Sequence, residues 1–488
     1  MAAILPPELL HQIAELLQNN RASLVPCTSV CRLWRAAFEP LIYHSLAVYS
    51  DDEHKQEGQR GISLANLQKI TSGDRAVRQT WIRNLEYHIL TPYELLDWTT
   101  RKESNAEAYC IDNPIRKAND IAFQAAMVNL FQELHSWNQS FRVKLDLGVR
   151  GRRGDPAPEP HTEDWDGAGE YLWDYKDGRS FSTPPYRARF LSDMPDLASV
   201  PCVEKLSFIN ENWPGGTHHQ IWTGAIQIII QRCPTIYELA LNLDEWVRPD
   251  PLDIRVSYQF IPKSLQVLDY EREKEENWKQ TLSPLNVIPS GIDSMSINLR
   301  DLSVNLRELK FKNSALAYDF MCPLDGEGKP ELGSLHWPHL KILEVEYVRP
   351  WLPSGEPTYH YTAEDQAEIN QIDDWDWEIC DLERGWLGPT ERIEEHFHRL
   401  LISMGYAAQR MPSLKSLRFE IQSENEFILY FRNTADEITL GWECYPEYQP
   451  DERVAKAWNI DPDDSKVDFA YQYDASVALK SWPPEPHS

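Results

Sequence analysis

Residues 303–311 read SVNLRELKF, and the wording returns along the chain as VPCVEKLSF (200–208), CPTIYELAL (233–241), IPKSLQVLDY (261–270), WPHLKILEV (337–345) and MPSLKSLRF (411–419). The shared core is apolar-x-x-Leu-x-apolar. Leu206, Leu239, Leu268, Leu309, Leu343 and Leu417 stand at its centre, with a proline shortly before it in most copies. Apolar residues at alternate positions make the end of each copy a half-buried strand. WIRNLEYHIL (81–90) and FRVKLDLGV (141–149) read as weaker copies. Stretches with helical apolar spacing over 119–135, 219–232 and 391–409 precede some of the copies. The unit is therefore helix, short turn, strand, and each unit leaves an apolar face that only a neighbour can cover.

The expected fold is α/β: a short helical domain at 1–48, then an irregular leucine-rich-repeat-like solenoid of helix–strand units over 60–436. The copies are unevenly spaced, so long insertions leave as loops. Residues 150–190, rich in Gly, Pro and charge, form one, and the acidic, Trp-bearing 351–384 forms another. Residues 437–488 are expected to be a C-terminal cap or tail. Side chains alternate across a strand, so within KSLRFE Leu417 and Phe419 point inward while Arg418 and Glu420 face out. The same alternation puts Lys205, Ser207, Glu238, Asn242, Asp269, Lys310, Glu344 and Glu346 on an outward face of mixed charge.

Composition narrows the function. A chain of 488 residues exceeds what one core usually organises. Its net charge of −28 repels nucleic-acid phosphates and anionic membranes, so neither is expected as a partner. No apolar run reaches the roughly 20 residues that span a bilayer. Glu8 and Glu15 near the start, without a basic opening, argue against a signal peptide. Eight scattered cysteines with no C-x-x-C pair fit reduced thiols in the cytosol or nucleus.

Few stretches carry catalytic or metal-binding patterns, and no cofactor is expected. DGEGKP (325–330) lacks the spacing of a phosphate-binding loop and reads as a turn. His396 and His398, two apart on a predicted helix, point to different faces and do not share a metal. DDWDWE (373–378) carries no calcium-loop glycine in register, and close acidic pairs arise by chance in a chain with 76 acids. Cys27 and Cys31 lack a second ligand pair nearby and read as packing residues.

The N-terminus holds the most specific signal. In ILPPELLHQIAELL (4–17), Pro6 and Pro7 suit a helix start, and Leu9, Ile13, Leu16 and Leu17 form an apolar stripe. In ASLVPCTSVCRLWRAAFEPLIY (22–43), Ser23 is expected to cap a second helix with Pro26 in its first turn. Cys27, Val30, Cys31 and Trp34 would then share one face. About 45 residues cannot bury all these side chains unaided.

Leu5, Pro6, Glu8, Leu9, Ile13, Leu24, Val30, Cys31, Arg32 and Trp34 match the Leu-Pro-x-Glu … Val-Cys-(Lys/Arg)-x-Trp pattern, and this segment resembles an F-box. With irregular leucine-rich-like repeats behind it, the chain is similar to F-box proteins of filamentous fungi. The resemblance implies a non-enzymatic substrate-recognition subunit of an SCF-type cullin-RING ubiquitin ligase. Its box would dock on the S-phase-kinase-associated adaptor, and through it on cullin, by Leu5, Pro6, Leu9, Ile13, Leu24, Val30, Cys31 and Trp34. The outward face of the repeats would receive a protein substrate. The competing readings are an adaptor-binding protein without a ligase role and a carbohydrate-active hydrolase using the acidic, Trp-rich segment.

Overall fold

The computed structural model describes residues 5–19, 24–56, 58–93, 114–152, 187–192, 194–209, 219–243, 261–272, 294–312, 316–348, 352, 356–364, 367, 391–421, 427–434, 437–444, 448–459, 468–471, 474–479 and 482–483. The chain is mixed α/β and divides into two compact units. The first is Met1–Ala240 with Trp246–Leu252 and Phe260–Ser264; the second is Leu265–Ser488 with Leu241–Glu245 and Asp253–Gln259.

The first unit opens with helices α1 (Pro7–Asn19) and α2 (Arg32–His44), separated by a 3-10 turn over Val25–Ser29. The chain passes directly from α2 into β1 (Ser45–Tyr49), then β2 (Ile62–Ser63), α3 (Leu64–Thr71), β3 (Asn84–Thr91), α4 (Pro114–Ser136) and β4 (Val143–Gly151). It continues through β5 (Arg187–Ala188), β6 (Val203–Phe208), β7 (Gln220–Ile221), α5 (Thr223–Gln231) and β8 (Glu238–Leu243). The strands lie in the order β8-β6-β4-β3-β1-β2, parallel throughout, and β5 pairs with β7 apart from them. Parallel neighbours need a crossover, and α4 supplies one between β3 and β4. It packs on β3, where Tyr87 Oη donates to the Ala126 carbonyl at 3.1 Å.

The second unit runs β9 (Val267–Arg272), α6 (Ser294–Ser303), β10 (Glu308–Lys312), β11 (Ile342–Val348), β12 (Tyr359–His360), β13 (Glu391–Arg392), α7 (Glu394–Ala408) and β14 (Ser416–Ile421). It ends with β15 (Phe427–Asn433), β16 (Ile438–Cys444), α8 (Glu452–Trp458), β17 (Asp468–Tyr471) and β18 (Asp474–Ala478). Its large sheet is mixed. β9, β10, β11 and β14 are parallel, and β15, β16, β18 and β17 extend it antiparallel. β12 and β13 form a separate antiparallel pair.

The repeated phrase has a direct structural counterpart. Leu85, Leu145, Leu206 and Leu239 are successive register partners in the first unit. Leu268, Leu309, Leu343 and Leu417 are successive partners in the second. All eight are at most 2% exposed, and each contributes about 1.5–3 kcal/mol by burial. The prolines ahead of three of these cores have a part as well. Thr235 Oγ1 donates to the Pro201 carbonyl, Ser264 Oγ to those of Pro234 (3.2 Å) and Ile236 (2.7 Å), and Ser413 Oγ to that of Pro338 (2.7 Å). Each hydroxyl thus ties its own turn to that of an earlier copy, occupying carbonyls that the strand ladder has not yet reached.

DGEGKP is a turn, as read from its spacing. The Asp325 carboxylate accepts from the backbone N–H groups of Glu327 and Lys329, and Gly328 takes φ 76°. Among the described residues no helix is long and apolar enough to cross a membrane. DDWDWE, Cys110 and Cys380 lie outside the described residues.

Candidate functional site

The N-terminal helices build a small core and leave much apolar surface uncovered. Ala14, Leu24 and Phe38 are buried together, with Ile13, Leu17, Cys27, Trp34, Ala37, Leu41 and Ile42 packed around them. The Trp34 and Phe38 rings stack at 5.2 Å with 7° between their planes. The second helix does not run from residue 24 onward as the spacing suggests. Pro26 begins a 3-10 turn, Thr28 Oγ1 donates back to the Val25 carbonyl at 2.8 Å, and Ser29 Oγ donates to that of Pro26 at 2.7 Å. Local bonds of this kind compete with helix continuation. Cys31 is then fully extended (φ −164°, ψ 175°), and α2 starts behind it.

The single helical face expected for Cys27, Val30, Cys31 and Trp34 is therefore split. Cys27 and Trp34 turn toward the core, whereas Val30 and Cys31 are exposed. Leu24 and Ile13 also belong to the box's own packing, and Leu24 is 7% exposed. Ser23 lies outside the described residues; the turn opens at Leu24 without a side-chain cap.

Leu5, Pro6 and Leu9 are exposed at the start of α1, and Leu16 continues their line two turns on. Val25, Pro26, Val30 and Leu33 are exposed on the turn and the first turn of α2, Val25 at 61% and Val30 at 60%. Leu16, Val25 and Leu33 were not expected among these. For Val25 and Leu33 the signal is the break at Pro26, which redirects the side chains on either side. Six of the thirteen large apolar side chains exposed among the described residues lie in this short region. So concentrated an apolar surface marks an interaction site.

The box is held firmly to the chain beyond it. Arg78 donates to Glu39 at 2.8 Å, both largely buried, and its guanidinium lies 4.8 Å over the Tyr43 ring. Tyr43 stacks on Trp81, and Asn84 Nδ2 donates to Ser45 Oγ at 2.9 Å.

Residues 2–48 match the F-box-like family model. The chain carries an F-box-like domain. No curated protein and no solved structure matches the chain. The match ends within β1, so the F-box-like domain comprises both helices and the turn between them.

The outward residues expected from alternation are brought onto sheet faces, where most are already paired. In the first unit Lys205 Nζ lies 2.5 Å from Glu238 and 5.3 Å from the centre of the Tyr237 ring. These contacts, the Glu238 hydrogen bond first, hold its ammonium well above the usual lysine range. Ser207 donates to Asp146, which also pairs with Lys144 at 3.1 Å. In the second unit Lys310 meets Glu344 at 3.0 Å and Lys312 meets Glu346 at 3.0 Å, raising both amines. Arg418 reaches Glu420 at 2.6 Å and Glu346 at 3.4 Å, and Glu420 is buried rather than open. Asp269 lies beside Lys310 in register. Asn242 belongs to β8, with its side chain outside what the structure describes.

Such cross-strand pairs contribute about 0.2–1 kcal/mol each to the sheet. His396 and His398 go separate ways on α7, the first 3.4 Å from Glu356 and the second bonded to Tyr448 Oη at 2.5 Å.

Proposed function

We propose that this chain is the substrate-recognition subunit of an SCF-type cullin-RING ubiquitin ligase. Its F-box-like domain docks on the S-phase-kinase-associated adaptor, which bridges to cullin, and the sheet-bearing remainder receives a protein substrate for ubiquitin-dependent degradation. One observation carries the reading: the F-box-like match at 2–48 coincides with the densest exposed apolar surface described, on Leu5, Leu9, Val25, Val30 and Leu33. A concentrated exposed apolar patch of this kind marks a protein interaction site.

The subunit is non-catalytic in this reading, needs no cofactor, and works in the cytosol or nucleus. The in-register leucines support its strands as a degenerate leucine-rich-repeat-like array. The test is affinity purification of the full chain from cells, with mass spectrometry of what accompanies it. Adaptor and cullin are expected with the full chain and absent once residues 1–48 are removed. Recovery of the adaptor without cullin would reduce the protein to an adaptor-binding role outside the ligase.

A further inference from the structure

The second unit's sheet carries two neighbouring rows of outward charge that are balanced differently. In the first row Asp269, Lys310, Glu344 and Arg418 occupy successive strands, and their signs alternate. The four formal charges sum to zero, and Lys310 pairs with Glu344 within the row. The next row, two residues further along, holds Glu271, Lys312, Glu346 and Glu420; on β15 it passes through buried Ile428, and Glu443 follows on β16. Lys312 serves Glu346, and Arg418 leans across from the first row to Glu346 and Glu420. Glu271 and Glu443, toward the two ends, are exposed.

A β-bulge adds an aromatic side chain to this row. Val345 pairs with Phe419 and Val348 with Ile421, so Glu346 and Tyr347 together oppose Glu420. The extra residue returns Val348 to the core and leaves Tyr347 42% exposed with φ 55°. A bulky residue in that conformation costs about 1–2 kcal/mol, and glycine would hold it without that cost.

The geometry points to this row as the docking surface for an extended, basic segment of a protein partner. The inference rests on the reading of the sheet as the receiving surface and adds the class of substrate to it. From β9 to β16 the row crosses about 24 Å, the reach of about seven extended residues. An extended chain turns every second side chain to one side. Its lysines or arginines would meet Glu271 and Glu443 and cover the Tyr347 ring, a cation–π contact. An acidic segment would meet the surplus carboxylates and be repelled.

The test is fluorescence anisotropy of the purified full chain with a short labelled peptide alternating lysine with serine, set against its glutamate–serine counterpart. The lysine peptide is expected to bind, more weakly as salt is raised, and the glutamate peptide not to bind. Tyr347→Gly combined with Glu443→Gln should weaken binding by about tenfold. Tyr347→Gly alone should unfold at the same temperature as the parent or higher. A parent chain that binds neither peptide, or both equally, overturns the inference, as does undiminished binding by the double variant. Capture of the purified adaptor, run on the same preparations, separates the two readings: adaptor binding without peptide binding removes only the substrate class, and peptide binding without adaptor binding removes only the ligase assignment.

Discussion

Leu24 and Val30 flank one short turn and play opposite parts. Leu24 closes the core of the F-box-like domain, so Leu24→Ala should cost about 2–4 kcal/mol. That loss would appear as faster hydrogen exchange across α1 and α2. Val30 is exposed, so Val30→Asp should leave that exchange unchanged and remove adaptor capture. The thiols divide in the same way. Burial pushes Cys202 and Cys322 up to about 11, whereas Cys31 is exposed. Alkylation of the native protein at neutral pH, followed by peptide mapping, should label Cys31 and spare Cys202 and Cys322. Bound adaptor should slow labelling at Cys31. The pattern of Leu, Pro, Val, Cys and Trp was readable as an F-box-like segment from residue types alone. Which of those residues face outward was not, because it depends on two hydroxyl bonds at Thr28 and Ser29 and on one extended residue, Cys31.

Among the elements, α7 and α8 pack closely enough that a methyl group matters. A Cβ at Gly405 would lie 2.9 Å from the Cβ and backbone of Ala457. Gly405→Ala should therefore lower the unfolding temperature, since overpacking costs about 1–3 kcal/mol against about 1 kcal/mol of helix propensity gained. The two helices are also joined by Arg453, which bonds both oxygens of Glu395 at 3.0 and 2.7 Å. That bond holds the Glu395 carboxyl below its ordinary value of 4.5. A depressed carboxylate stabilises the fold above its unfolded pKa, and the contribution fades as pH falls through the folded one. The stability gap between parent and Arg453→Ala should thus be small near neutrality, about 0.2–1 kcal/mol for so exposed a pair, and close as pH drops below about 4.5. The helices expected over 119–135 and 391–409 form as Pro114–Ser136 and Glu394–Ala408, whereas that expected over 219–232 is cut to Thr223–Gln231 because Gln220 and Ile221 join strand β7. The antiparallel strands after β14 were not foreseen as part of the sheet. Their alternation is read equally well as a separate cap, and pairing partners are not encoded in one strand.

Across the chain, the leucines that align four by four within each unit were legible as one recurring phrase. The hydroxyls that bond earlier turns were in plain view beside the prolines but carry no periodic signal of their own. The mixed-charge face was also foreseen, yet its pairing of Lys310 with Glu344 and of Lys312 with Glu346 requires strand order, which the sequence leaves open. Such pairing ties neighbouring strands together. In the proposed function, the exposed apolar surface of the F-box-like domain binds the ligase adaptor. Isothermal titration of the purified full chain with the purified S-phase-kinase-associated adaptor tests it most directly. One-to-one binding is predicted, lost in the Leu9→Asp, Val30→Asp double variant while its hydrogen-exchange pattern across α1 and α2 is kept. Absence of binding by the parent chain, or equal binding by that variant, would contradict the account.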